Sequence, residues 1–198
     1  EEARRLLEEV KALEYEGYAF EGAEASFYLL AHRLKGGSLP FSVEGFSVFV
    51  HGRGLSTAWA EATVRVRVGE SLQHTAAESP FGPVSALDRA FRKAVLQFYP
   101  ELSEVELTDY KVRILSGQEA GTNSGVRVMV EMKRGEERFP TVGASENILE
   151  ASLKALTDGH AHRARGRVTL VAGAGRDRDR VVAQHHVAVD APTDRCHV

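Results

Sequence analysis

The stretch Val64-Arg65-Val66-Arg67-Val68, followed by His74-Thr75-Ala76-Ala77 and a helix-like run from Val84 to Phe98, occurs twice in this chain. The second copy reads Val126-Arg127-Val128-Met129-Val130, then Pro140-Thr141-Val142-Gly143, then a run from Ile148 to Leu156. The offset from Val64 to Val126 is 62 positions (126 − 64), and Leu87 and Leu149 share it (149 − 87). Between those anchors Thr75 and Thr141 lie 66 apart (141 − 75), so the second hairpin is longer and its loop into the helix shorter. Equal offsets at both ends mean a duplicated supersecondary unit. Two units are too few for a self-stabilising solenoid, so a pair packed about a pseudo-twofold axis is expected. Such units usually bind or pair and rarely do chemistry alone.

Outward from this repeat, each unit reads as strand, strand, strand, helix. In the first, Phe46, Val48 and Val50 alternate against Ser47, Phe49 and His51. A second strand, roughly Thr57 to Gly69, turns Val64, Val66 and Val68 inward, and a third covers about Leu72 to Glu78. Ser79-Pro80-Phe81-Gly82-Pro83 leads to a helix with a Leu87, Phe91, Val95 and Phe98 stripe, which Tyr99-Pro100 ends. The second unit has a strand at Leu107 to Leu115, a glycine-rich loop from Gly117 to Gly125, strands at Val126 to Met132 and Arg138 to Ala144, and a helix from Glu146. Ser145 is the expected N-cap, with Ile148, Leu149, Ser152, Leu153 and Leu156 inward. One helix covers one sheet face, so the other face, with Val64, Val66, Val68, Val126, Val128 and Val130 needing burial, calls for a second subunit.

Ahead of the units, residues 1–35 read as helical. Leu6, Val10 and Leu13 form one stripe, Phe27, Leu30 and Leu34 continue it after a break near Gly17, and Gly36-Gly37-Ser38 closes the section. The fold class is therefore α+β: a helical linker over 1–38, then a domain over 39–160 with units at about 41–100 and 105–158. Beyond it lysine disappears and arginine dominates, so residues 161–198 are expected to form an atypical, loosely ordered tail.

The 198 residues, 43% of them hydrophobic, suffice for a real core. A net charge of −3 argues against nucleic acid or an anionic membrane as the main partner, and leaves small neutral or zwitterionic ligands and proteins. Cys196 alone excludes an internal disulfide framework and suits a reducing cytoplasm. No apolar run approaches the roughly 20 residues that span a bilayer, and no basic-then-apolar leader opens the sequence. The chain does not begin with Met and reads as a fragment of a longer polypeptide.

Catalytic chemistry finds no support. His160, His162, His185, His186, His197 and Cys196 crowd the end without a recognised ligand spacing, so no metal site is expected. Ala172-Gly173-Ala174-Gly175 follows a strand-like run but no amphipathic helix follows it, which makes a phosphate-binding turn a weak reading. Glu104 and Glu106 read as decoration of an exposed strand face. The loops Gly82-Pro83-Val84-Ser85 and Gly143-Ala144-Ser145-Glu146-Asn147 matter more. Each opens a helix, whose free N–H groups and dipole suit a carboxylate, though ordinary capping is the plainer account. The long loop Gly117 to Gly125 suggests function as well.

Several blocks carry a family resemblance: Glu16-Gly17-Tyr18-Ala19-Phe20-Glu21-Gly22-Ala23-Glu24-Ala25-Ser26-Phe27, His74-Thr75-Ala76-Ala77-Glu78, Gly82-Pro83-Val84-Ser85-Ala86-Leu87-Asp88-Arg89-Ala90, Leu107-Thr108-Asp109-Tyr110-Lys111-Val112-Arg113 and Thr141-Val142-Gly143-Ala144-Ser145-Glu146-Asn147-Ile148. Over about Glu1 to Asp158 the chain resembles the C-terminal part of the citramalate synthase branch of the 2-isopropylmalate synthase family. The resemblance implies a parent acyltransferase whose N-terminal metal-dependent barrel condenses acetyl-CoA with a 2-oxo acid. Neither the barrel nor its divalent metal belongs to this chain, so no cofactor is expected here. It further implies a cytoplasmic homodimer whose regulatory domain binds an end product, isoleucine for the citramalate branch and leucine for the other. Position by position, the effector site implied comprises Gly82, Val84, Ser85, Leu107, Tyr110, Ile114, Thr122, Asn123, Gly125, Glu146 and Ile148. Ser85 stands where relatives often carry Asp, and Ser79 to Phe81 is altered too. A dimerisation module with a decayed effector site is thus one alternative, and a free-standing amino-acid-binding protein another.

Overall fold

The computed structural model describes residues 1–54, 57–115 and 124–171. Two helices, α1 (Glu2–Tyr15) and α2 (Glu24–Leu34), precede β1 (Ser42–Arg53), β2 (Thr57–Val68), β3 (Ser71–Ser79) and α3 (Pro83–Val95). A 3₁₀ turn at Pro100–Glu104 leads to β4 (Glu106–Ile114), β5 (Val126–Arg134), β6 (Glu137–Ser145) and α4 (Ile148–Val171). The fold is α+β. Each unit is a three-stranded antiparallel sheet in sequential order followed by a helix.

The alternation in β2 sets the first core. Ala60, Ala62, Val64, Val66 and Val68 are buried while Arg65 and Arg67 are exposed. α3 lies across β2 and β3, bringing Leu87, Ala90, Phe91, Ala94 and Val95 onto that face. In the second unit α4 covers β5 and β6, burying Val128, Val130, Met132 and Phe139. The two helices also touch, with the Phe91 and His160 rings 5.4 Å apart. The valines expected to await a second subunit are therefore covered by their own helices, Val126 at the end of the sheet only in part. What the first sheet shows on its other face is mixed: Phe49, Trp59 and Leu72 among Glu61, Arg65, Arg67 and His74.

Residues 17–22 lie over the other face of the second sheet, where Arg127 donates to the Gly17 carbonyl (2.5 Å) and the Tyr18 carbonyl (3.1 Å). The free edge of β6 is closed as well. The Val142 N–H donates to Ser26 Oγ (3.0 Å), which replaces the strand partner an edge lacks.

Some local expectations fail for identifiable reasons. α3 ends at Val95, so Phe98 falls outside its stripe and is 40% exposed, while Leu102 of the 3₁₀ turn fills the core instead. In α2 the buried leucines are Leu29 and Leu30, and Phe27 faces outward. Val50 is exposed because α3 lies over β2 and β3 and hardly reaches β1. The N-cap of α4 is Asn147, whose Oδ1 accepts from the Leu149 N–H (2.8 Å), while Ser145 Oγ accepts from the Asn147 N–H (3.1 Å). Most consequential, α4 continues through 161–171, where a tail was expected. His160, Ala161 and Ala164 are fully buried because they extend the Leu153 and Leu156 stripe at helical spacing.

Candidate functional site

β4 positions the middle of the expected site. Leu107 pairs with Met132, Tyr110 with Val130, and Ile114 with Val126, so all three lie on the sheet face that α4 covers. A bulge between Leu107 and Asp109 keeps Leu107 and Tyr110 on one face despite their odd spacing. α4 sits over β5 and β6, however, and leaves β4 largely open. Leu107, Val112 and Ile114 are exposed, Ile114 at 68%.

Tyr110 is the exception, because its hydroxyl reaches Ser152 Oγ at 2.6 Å. Ser152 Oγ in turn donates to the Ile148 carbonyl (2.5 Å), so the tyrosine is the donor in the pair. The bond ties β4 to the first turns of α4. Ile114, Val126 and Ser145 form one cross-strand row, and α4 begins just beyond it with Ile148, itself 43% exposed. Gly125 belongs to the same end of the sheet, its carbonyl accepting from the Leu115 N–H at 2.8 Å. Glu146 is exposed in the turn between β6 and α4. Ile114, Gly125, Glu146 and Ile148 thus gather at one end of the second unit, Tyr110 sits mid-strand against Ser152, and Leu107, paired with Met132, lies toward the opposite end.

Gly82, Val84 and Ser85 form a second group at the α3 start. Gly82 is the N-cap with φ +97°, a conformation that favours glycine, and Pro83 follows at the first helical position. No side chain caps this helix, so its first N–H groups are unclaimed by an N-cap side chain. At α4 the same groups are engaged by Asn147. Ser85 Oγ accepts from Ser79 Oγ (2.9 Å), an internal use of a side chain expected to face a ligand. Within one chain α3 meets α4 at Asp88, Phe91 and His160. His160 lies 12 residues (160 − 148) past Ile148, roughly 18 Å along the helix. Thr122 and Asn123 lie outside the described residues.

Among the described residues no group of three or more His, Cys, Asp or Glu is placed to hold a metal ion. No helix of the described residues is long and apolar enough to cross a membrane.

The spacing of the repeat did not reveal a pair deeper in the molecule, Ser26 and Asp158. Ser26 Oγ donates to Asp158 Oδ2 at 2.7 Å. Burial raises the Asp158 carboxyl to about 6, outweighing the Ser26 hydrogen bond and the Arg33 charge, which lower it. An acid followed by a glycine in mid-helix was the available signal, and composition alone assigned that point to the end of the domain.

Residues 21–163 match the family model of the LeuA allosteric (dimerisation) domain. The chain is 52% identical over 156 residues to a protein of Geobacter sulfurreducens named (R)-citramalate synthase, an alignment covering 77% of this chain and 29% of that protein. It is 46% identical over 159 residues to the (R)-citramalate synthase of Aquifex aeolicus, covering 79% and 30%. With the (R)-citramalate synthase of Sulfolobus acidocaldarius the identity is 35% over 156 residues, covering 79% and 28%. The chain thus spans less than a third of the length of these curated relatives. The matched region runs past Asp158 to residue 163, in keeping with the buried continuation of α4. The chain belongs to the LeuA allosteric (dimerisation) domain family.

Proposed function

We propose that this chain is the regulatory and dimerisation module of a citramalate synthase-like acyltransferase, and that it binds a branched-chain amino acid, isoleucine foremost, between two copies. The observation carrying this reading is the open apolar wall of Val112, Ile114 and Ile148, which α4 leaves uncovered although Tyr110 fixes the strand beneath it. A second copy would close that wall and bring an α3 start to it, whose uncapped N–H groups suit the ligand carboxylate. Glu146 is then the acceptor for the ammonium group. The parent enzyme condenses acetyl-CoA with pyruvate in a metal-dependent barrel outside this chain, in the cytoplasm. Effector binding lowers its turnover through a coupling of about 1–3 kcal/mol.

The internal Ser79–Ser85 bond favours one second reading, a dimerisation module whose effector site has decayed. Sedimentation of the 198-residue chain at micromolar concentration tests the pairing. The wild type should run as a dimer that isoleucine tightens, and Ile114→Asp should shift it toward monomer. A dimer indifferent to isoleucine selects the second reading, and a monomer with isoleucine present overturns both.

A further inference from the structure

Where the helical linker meets the start of β1 and α4 lies a half-open cavity of about 480 Å³, within the range of small-molecule sites. Phe20, Leu30, Phe41, Phe46 and Leu153 give it an apolar wall. Its polar groups differ in how fully they are engaged. Lys154 and Glu150 pair with each other at 2.9 Å, and Glu44 pairs with Arg67 at 2.7 Å. Asp158 has only the Ser26 hydroxyl, bound to one carboxylate oxygen. Arg33, on α2, makes no side-chain hydrogen bond or ion pair among the described residues, although its charge reaches Asp158. Thr157 Oγ1 is buried on the same wall without a partner.

An acid and a base thus face one apolar space with hydrogen-bonding capacity left. An uncharged ligand would leave the buried Asp158 unmatched, a lone anion would be opposed by Asp158, and a lone cation would be repelled by Arg33 at the edge of the cavity. A molecule bearing both charges on an apolar body meets neither objection. We propose that this cavity binds a zwitterionic α-amino acid with a bulky apolar side chain, its carboxylate at Arg33 and its ammonium group at Asp158. This site is distinct from the one at Ile114 and Ile148 and does not rest on it. Occupancy would tie α2 to α4 beside Ser26, and so stiffen the linker against the domain.

Methyl NMR of the 198-residue chain separates the two sites. Phenylalanine or isoleucine at millimolar concentration should shift the Leu30 and Leu153 methyl signals, while glycine, 3-phenylpropanoate and phenethylamine should not. Arg33→Gln, at an exposed position, and Asp158→Asn, which keeps the Ser26 bond, should each weaken the response about tenfold or more. Ile148→Asp should leave it unchanged, since Ile114 and Ile148 report the other site. Silence at Leu30 and Leu153, an equal response to phenylpropanoate or phenethylamine, or survival of binding in both variants would overturn the proposal.

Discussion

Thr75 and Thr141 occupy the third strands of the two units and do the same thing: each hydroxyl donates to a carbonyl of the helix that follows, Ala90 at 2.7 Å and Ala155 at 2.8 Å. The duplication thus extends to individual hydrogen bonds that fix each helix on its sheet. Replacing either threonine with valine keeps its shape and loses the bond, at about 1 kcal/mol each. The sites belong to different units, so the costs should add. Urea midpoints of both single variants and the double variant check this, and a double no worse than one single would contradict it.

Close approach of α4 to β6 rests on Gly143. A Cβ built there would lie 2.1 Å from the Ala151 carbonyl oxygen and 2.9 Å from the Ala155 amide nitrogen, both backbone atoms that cannot step aside alone. Gly143→Ala should therefore displace the helix and cost about 1–3 kcal/mol. An unchanged urea midpoint would show that α4 sits farther from the sheet.

Asp158 imposes a pH dependence of defined sign. Its carboxyl is raised from 3.8 to about 6, so the folded state binds this proton more tightly than the unfolded chain does. Stability from this group accordingly falls as pH rises from about 4 to about 6, and the loss is complete above that. Asp158→Asn keeps an acceptor for Ser26 without the buried charge. It should match the wild type near pH 4 and exceed it near pH 7.5 by on the order of 1–3 kcal/mol. Thermal melts of the two proteins at both pH values decide, and a pH-independent difference would contradict the account.

Ending the chain at Asp158 removes the buried His160, Ala161 and Ala164 and the Gly159 contact with Met132. The expected loss is about 2–4 kcal/mol, or a fall in Tm of roughly 5–15 °C. A Tm equal to that of the full chain would mean this helical turn contributes nothing.

The repeat made the strand order and the two helices legible, because Val64, Val66 and Val68 can share a face only in a strand. Periodicity does not say what covers a face. The valines accordingly argued for a partner subunit, when α3 and α4 in fact cover them. At Ser145-Glu146-Asn147 two capping residues stand two apart, and only backbone geometry selects Asn147. The stripe Leu153, Leu156, His160, Ala164 was present in the sequence but hidden by arginine-rich composition. Of the site, β4 and the α4 start could be read as neighbours through the hairpin. The cavity at Asp158 could not, since Phe20, Arg33, Phe41 and Asp158 come from segments that only the fold joins.

The central claim is that a branched-chain amino acid binds against the wall where β4 meets the start of α4. Its most direct test is calorimetric titration of isoleucine and leucine into the wild-type chain and into Ile148→Asp, which puts an unpaired charge in that wall. The account predicts saturable heat in the wild type, stronger for isoleucine, whose contribution from this site is lost in the variant, any remainder being abolished by adding Arg33→Gln. Identical isotherms for wild type and Ile148→Asp would contradict it.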